Sequence, residues 1–179
     1  MDLKEKLKYY KSAPAKKKSE NRREIADIYK KLEAIPVDPD AADVLKIEKF
    51  YTYSHFFHES DPSSHMEIRL PLLSRNRLAD PVNLNDILIF DLETTGLAGG
   101  AGTFPFLIGF GVFEEDGVRV HQYFLPEYGR EIIAYLDLAK KFSSKTHLLT
   151  YNGKSFDYPL IKNRFILNRI DNPFISFQH

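Results

Sequence analysis

The chain has 179 residues, a formal net charge of zero and a hydrophobic share of 43%, which suffices for one domain of ordinary size with a real core. It contains no cysteine, which excludes disulfides, thiolate metal sites and a cysteine nucleophile. No apolar run approaches the ~18 residues of a membrane span, and the charged N-terminus lacks the apolar stretch of a signal peptide, so we expect a cytoplasmic protein with no membrane contact.

Residues 1–35 are predicted to form a basic helical arm. Apolar residues recur at helical spacing from Leu3 to Tyr10, and a second helix is expected between Ser19 and Pro36. This arm holds eleven Lys or Arg and six Asp or Glu, a net charge of +5, whereas residues 36–179 have a net charge of −5. Such an arm is either an ordinary solvated helix or an electrostatic contact for nucleic-acid phosphates.

Residues 36–85 are predicted to be a connecting segment with short strands. Residues 36–84 contain five prolines and no glycine, which is unusual for a segment of regular turns and strands. Short strand-like runs occur at Phe50–Phe57 and Ile68–Leu73.

A regular alternation of elements begins at residue 86. The pattern predicts strands at about 87–93, 105–114, 118–125 and 147–151, helices at about 131–142 and from near Tyr158 to near Ile170, and a last strand from Phe174. The resulting order, β-β-β-α-β-α-β, predicts an α/β fold in which helices pack on a mixed sheet.

Two carboxylates stand at the end of the first of these strands. Asp91 and Glu93 are separated by one residue, so in a strand both point to the same face. Two carboxylates ~4 Å apart repel by about 4 kcal/mol at an effective dielectric near 20, and a divalent cation such as Mg²⁺ or Mn²⁺ reverses the sign of that energy. The alternative is an ordinary strand that leaves the core with acids facing water. The turn of Thr94, Thr95 and Gly96 favours the metal, because it presents backbone donors beside it.

A second polar segment follows the strand at 147–151. Asn152 and Gly153 form a turn, and Phe156 and Asp157 stand at the start of the next helix. Taken alone, Asp157 is most simply an N-cap residue. Taken together with the acids after the first strand, it becomes a third carboxylate at the end of a neighbouring strand.

These two segments resemble motifs of a known family. Phe90–Gly96 resembles the first motif of the DEDD, or DnaQ-like, 3′–5′ exonucleases, and Asn152–Asp157 resembles their second motif. The stretch Leu97–Gly109 most resembles the YprB-like branch. The resemblance covers residues 86–179 and implies a ribonuclease H-like exonuclease domain there.

The resemblance also implies a mechanism. Asp91, Glu93 and Asp157 would hold two Mg²⁺ or Mn²⁺ ions, with Asp91 as the shared ligand, one ion activating a water and the other stabilising the leaving 3′ oxygen. The partner would be nucleic acid, either DNA or RNA. The residues expected to contact its terminal nucleotide are Thr94, Thr95, Gly96, Leu97 and Asn152.

The family's third motif is absent from this sequence. That motif is a Tyr or His followed four or five residues later by Asp, on a helix after the fifth strand, whereas the only acid after Asp157 is Asp171. We therefore expect a fragment or a natural truncation that lacks the last helix of the fold, rather than a degenerate member, with weak metal binding and little or no nuclease activity alone. The alternatives are a non-catalytic nucleic-acid-binding or scaffold domain, and an endonuclease on the same fold.

Overall fold

A computed structural model describes residue 27 and residues 29–38, 41–56, 67–68, 82–96, 102–127, 129–142 and 144–179. The chain divides into two compact units, residues 1–34 and 35–179. In the first unit residues 27 and 29–31 are helical, and Glu33 turns the chain with a φ of 57°. The rest of the predicted basic arm lies outside the described residues.

The second unit is built on a six-stranded mixed sheet. In chain order its elements are β1 (Ile35–Asp38), β2 (Ala41–Thr52), α1 (Tyr53–Phe56), β3 (Glu67–Ile68), β4 (Val82–Asn83), a 3₁₀ turn (Leu84–Asp86), β5 (Ile87–Thr94), β6 (Pro105–Glu114), β7 (Gly117–Phe124), α2 (Ile132–Phe142), β8 (His147–Leu149) and α3 (Asp157–Leu167). The sheet order is β1-β2-β7-β6-β5-β8, with β3 and β4 paired separately. All neighbours in the large sheet are antiparallel except β5 and β8, which are parallel. The mixed sheet flanked by helices confirms the predicted fold class.

The core lies between one face of this sheet and the two long helices. Strand β5 contributes Leu88, Phe90 and Leu92, which alternate along the strand as a one-sided burial pattern requires. The helices and the chain after them complete this cluster with Ala134, Tyr135, Leu138, Phe142, Leu160, Ile161, Phe165 and Phe174. Among the described residues, none of the helices has the length and apolar character that a membrane crossing requires.

The structure differs from expectation in residues 36–85. The strand predicted at Phe50–Phe57 is wrong in extent, because β2 runs from Ala41 to Thr52 and the next four residues are helical. Strand β2 pairs with β7, which adds part of the connecting segment to the main sheet. Of the other predicted run, Ile68–Leu73, only Ile68 is among the described residues, in β3.

Charged residues explain why the sequence pattern did not predict the full length of β2. Lys46 and Glu48 break its apolar pattern, and their partners come from distant parts of the chain. The Glu48 carboxylate lies 3.4 Å from the Arg119 guanidinium, and the Lys46 ammonium lies 4.0 Å from the Asp137 carboxylate.

The division of the chain at residues 35 and 85 stays a prediction.

The C-terminal segment also differs. The strand predicted from Phe174 is wrong in its start, because residues 173–176 form a turn and only Gln178 bridges to His147, in the parallel sense. The Asn172 side chain closes this turn by accepting a hydrogen bond from the Phe174 amide at 3.0 Å. Phe174 itself is fully buried, which explains why its surroundings resemble a strand in the sequence.

Candidate functional site

The two acids of β5 lie on the face of the strand that turns away from the core. Leu92 between them is only 7% exposed, whereas Asp91 and Glu93 are both exposed. The pairing register with β6 shifts between Glu93 and Thr94, so the strand carries an irregularity directly after the second acid. Such bulges bend a strand and re-aim the side chains beside them.

The turn after β5 is held by the hydroxyls of its two threonines. Thr94 Oγ1 donates to the carbonyl oxygen of Gly96 at 3.0 Å. Thr95 Oγ1 accepts from the Phe104 amide at 3.2 Å, and the Thr95 amide donates to the Phe104 carbonyl oxygen at 2.9 Å. Both hydroxyls therefore order the turn. Leu97, the other residue predicted here, lies outside the described residues.

Asp157 is the first residue of α3 and is 5% exposed. The interpretation of this residue as a simple N-cap is wrong, because Phe156 occupies the N-cap position and no side chain caps the helix. A carboxylate at a helix N-terminus is favoured by the helix dipole, but burial opposes its charge.

The turn before α3 brings the Asp157 carboxylate close to Thr150. Asn152 has a φ of 58°, a left-handed conformation that asparagine tolerates better than most residues. A Cβ at Gly153 would lie 2.6 Å from Thr150 Cβ and 2.7 Å from Asp157 Oδ2, so no larger residue fits there. The Asn-Gly pair therefore shapes the turn, and the Asn152 side chain is exposed.

The three carboxylates interact electrostatically. Burial, and then the negative charges of Asp91 and Glu93, raise the pKa of Asp157 to about 6. Within the part of the chain that the structure describes, no group of three or more His, Cys, Asp or Glu side chains is arranged to hold a metal ion. The acids are thus electrostatically coupled neighbours without the geometry of a preformed metal cluster.

A second polar contact beside this site escaped the sequence analysis. Thr150 Oγ1 and His179 Nε2 are 2.7 Å apart, and Leu148 donates its amide to the Gln178 carbonyl oxygen at 2.8 Å. Burial, and then the positive charge of Lys154, lower the pKa of His179, which favours its neutral form. The Asn-Gly turn was the available signal for Gly153, whereas nothing local in the sequence pairs Thr150 with His179.

The chemistry of Asp91, Glu93 and Asp157 fits a divalent cation. All three are hard oxygen donors of the kind that Mg²⁺ and Mn²⁺ prefer. A carboxylate whose pKa is raised by burial and then by two neighbouring acids is a group that a bound cation stabilises, because the cation replaces repulsion with attraction.

Comparison with known proteins relates this site to a family. A family model of the RNase H superfamily matches residues 88–179, which include all three acids and the elements that carry them. The uncharacterized protein YprB of Bacillus subtilis (strain 168) is 44% identical over 97 residues, which are 54% of this chain and 23% of that relative. The match thus spans less than a quarter of that relative's length.

The family match relates the chain to a superfamily that includes nucleases. RNase H-like nucleases act on nucleic acids and generally use divalent metal ions. Since the family model covers more than half of its residues, the chain belongs to the RNase H superfamily.

Proposed function

We propose that the protein is a divalent-metal-dependent nuclease of the DEDD type, which removes nucleotides from the 3′ end of a nucleic acid by phosphodiester hydrolysis. The supporting observation is the position of Asp157, where burial and then the charges of Asp91 and Glu93 raise its pKa to about 6. Without a cation, the repulsion between three neighbouring carboxylates destabilises the fold. With a divalent cation, the same three carboxylates supply oxygen ligands.

Each acid has a distinct part in this proposal. Asp91 and Glu93 present their carboxylates from one exposed face of β5, and Asp157 presents its own from the start of α3. Together these three carboxylates would hold the Mg²⁺ or Mn²⁺ ions. When bound, such ions supply an activated water and stabilise the leaving oxygen.

The turn residues are proposed to bind the terminal nucleotide. The hydroxyls of Thr94 and Thr95 already bond within the turn, so backbone groups of the turn and of Gly96 are the better candidates for substrate contacts. Leu97 and Asn152 are proposed as further contacts. The substrate is DNA or RNA, and the cleavage experiment below is to be run with both.

Calorimetric titration with Mn²⁺ tests the metal site. We expect weak binding by the wild-type chain, because three carboxylates supply few ligands. Asp91→Asn and Asp157→Asn should each lower the affinity by at least about tenfold, a loss of about 1.4 kcal/mol. Asp171→Asn is the matched control, since Asp171 is an exposed acid after α3. Equal affinities in all variants would contradict the metal site.

Digestion of a 5′-labelled oligonucleotide with Mn²⁺ tests the reaction. We expect a ladder with steps of one nucleotide, formed slowly and only at high protein concentration, and absent in Asp91→Ala. Internal cuts would instead indicate an endonuclease on the same fold. Fast turnover would contradict the expectation that the three acids of this chain form an incomplete site.

A non-catalytic nucleic-acid-binding or scaffold domain is the second candidate function. Among the described residues, no group of three or more acidic, His or Cys side chains is arranged to hold a metal ion, and this favours the non-catalytic function. Oligonucleotide binding without metal affinity and without cleavage would support this candidate over the nuclease.

A further inference from the structure

Gly109 lies in the interior of β6, where glycine is less favourable than alanine. Two other strand glycines are covered by neighbouring atoms. A Cβ at Gly117 would overlap the Tyr51 carbonyl oxygen, and a Cβ at Gly111 would pack 3.4 Å from Ile89 Cδ1 and 3.5 Å from Val118 Cγ1.

Among the described residues, no side chain covers Gly109 in this way. A Cβ built there would approach only the backbone oxygen of Asp91, at 3.8 Å, which is an ordinary van der Waals distance. Its φ lies outside the left-handed region, so the backbone does not require glycine either. Gly109 is half-buried, and its missing side chain leaves open space on the sheet.

This open space lies directly beside the candidate metal site. Gly109 is the register partner of Asp91 on one side and of Gln122 on the other. Directly opposed residues of antiparallel strands point to the same face. Asp91, Gly109 and Gln122 therefore form one row across the sheet, with an acid and an amide on either side of a position that has no side chain.

We propose that Gly109 forms the floor on which the sugar of the terminal nucleotide rests, next to the phosphate that is held at Asp91. A glycine inside a strand often marks a place where a ligand or another backbone approaches closely. The Gln122 amide, which can both donate and accept hydrogen bonds, lines the far side of this floor. This role rests on the proposed function, because nucleic acid is taken as the ligand.

The test is oligonucleotide binding by Gly109→Val and Gly109→Ala. Short 5′-fluorescein-labelled DNA and RNA strands are titrated with the full chain, in Ca²⁺ to suppress cleavage, and Kd is read from fluorescence anisotropy. Gly109→Val fills the floor and should raise Kd by at least about tenfold. Gly109→Ala should act in the same direction with a smaller change, and its Cβ has ordinary van der Waals room.

Gly111→Ala is the matched control. It lies on the same strand and the same face, one register pair further from the acids, so we expect its Kd to stay within about twofold of the wild type. All three variants should unfold at or above the wild-type temperature, because glycine is unfavourable inside a strand and valine is favourable. Loss of binding in a stable variant therefore reports the floor and not the fold.

The outcomes separate the two proposals. An unchanged Kd in both Gly109 variants, an equal loss in the Gly111 control, or no binding by the wild type would overturn the role of Gly109. Binding that depends on Gly109 but is followed by no cleavage in Mn²⁺, even at high protein concentration and long incubation, would overturn the proposed hydrolysis alone.

Discussion

Asp157 is the residue whose ionisation depends most on its neighbours at the site. Its carboxyl group is buried at the start of α3, close enough to Gly153 that a methyl group there would overlap Oδ2. The charges of two further acids add to the cost of ionising it. The residue is thus held in a position that disfavours its own charge, which is common where a group is arranged for function rather than for stability.

Asp157→Asn should stabilise the metal-free protein above pH 7. The folded-state pKa of about 6 lies above the unfolded value of about 3.9, so the native state binds more protons between these values. The free energy of unfolding therefore falls as pH rises from about 4 to about 6, and the asparagine variant does not share this fall. Urea unfolding at pH 7.5 should show a gain of about 1–3 kcal/mol.

Two comparisons check this prediction. At pH 3.5 the side chain of residue 157 is uncharged in the folded wild type as well as in the variant, so the gain in stability should disappear. Mn²⁺ at pH 7.5 should stabilise the wild type and not the variant. A variant less stable than the wild type at pH 7.5 would show that the Asp157 carboxylate contributes native contacts that outweigh the repulsion.

At the scale of elements, a buried ion pair joins α3 to the start of α2. Glu131 directly precedes α2 and is 1% exposed, and its carboxylate contacts the Arg164 guanidinium of α3. Asn168, at the end of α3, donates to the same carboxylate at 3.1 Å and to the Arg164 carbonyl oxygen at 2.9 Å. These contacts fix α3, and with it the position of the acid at its first residue.

Glu131→Ala should destabilise the protein by about 3 kcal/mol or more, because it leaves the buried Arg164 without its carboxylate. The measurement is chemical denaturation followed by circular dichroism. Glu127→Ala is the control, since Glu127 is exposed, and its effect should stay within about 0.5 kcal/mol. Recovery of stability in the double variant Glu131→Leu, Arg164→Met would show that the loss comes from the unpaired charge, whereas equal effects of Glu127→Ala and Glu131→Ala would exclude it.

The elements differ in how far their sequence predicts them. Strands β5, β6 and β7 and helix α2 alternate or repeat with clear periods, and their observed ends lie within one residue of the prediction. Strand β2 has charged residues whose partners are distant in sequence, so local pattern alone could not identify it. Phe174 shows the opposite error, in which a strand is predicted where the chain forms a turn. The sequence suggests a strand there because Phe174 is a buried aromatic residue of the core.

The candidate site is predictable to a similar degree. Alternation alone places Asp91 and Glu93 on one face, as the structure shows. No local pattern brings Asp157 to them; its place after a neighbouring strand suggested the association, and the resemblance to a family supported it. The requirement for glycine at Gly153 and the openness at Gly109 depend on atoms from other strands and turns, which a one-dimensional pattern does not contain.

At the scale of the whole molecule, the sheet and the net positive charge belong to different parts of the chain. All strands that the structure describes lie in the unit of residues 35–179, whereas residues 1–34 have a net charge of +5. Fold and electrostatic attraction to a polyanion can therefore be tested separately.

Deletion of residues 1–34 should leave the unfolding temperature of the remaining chain nearly unchanged, because no strand of the sheet is removed. We expect the salt dependence of oligonucleotide binding to weaken, since each neutralised phosphate contributes about 0.7 to the slope of log Kd against log salt for single strands. Anisotropy titrations at several salt concentrations measure this slope. An unchanged slope would show that the arm does not contact the phosphates.

The paired hydrogen bonds between Thr95 and Phe104 have a consequence for how such a site can diversify. They close the base of the segment between these two residues, immediately after the strand that holds Asp91 and Glu93. A segment closed at its base can change in length or composition without shifting the strand, because loop closure costs little more when a loop grows. Substitutions and insertions between these two residues can therefore leave the strand and its acids in place.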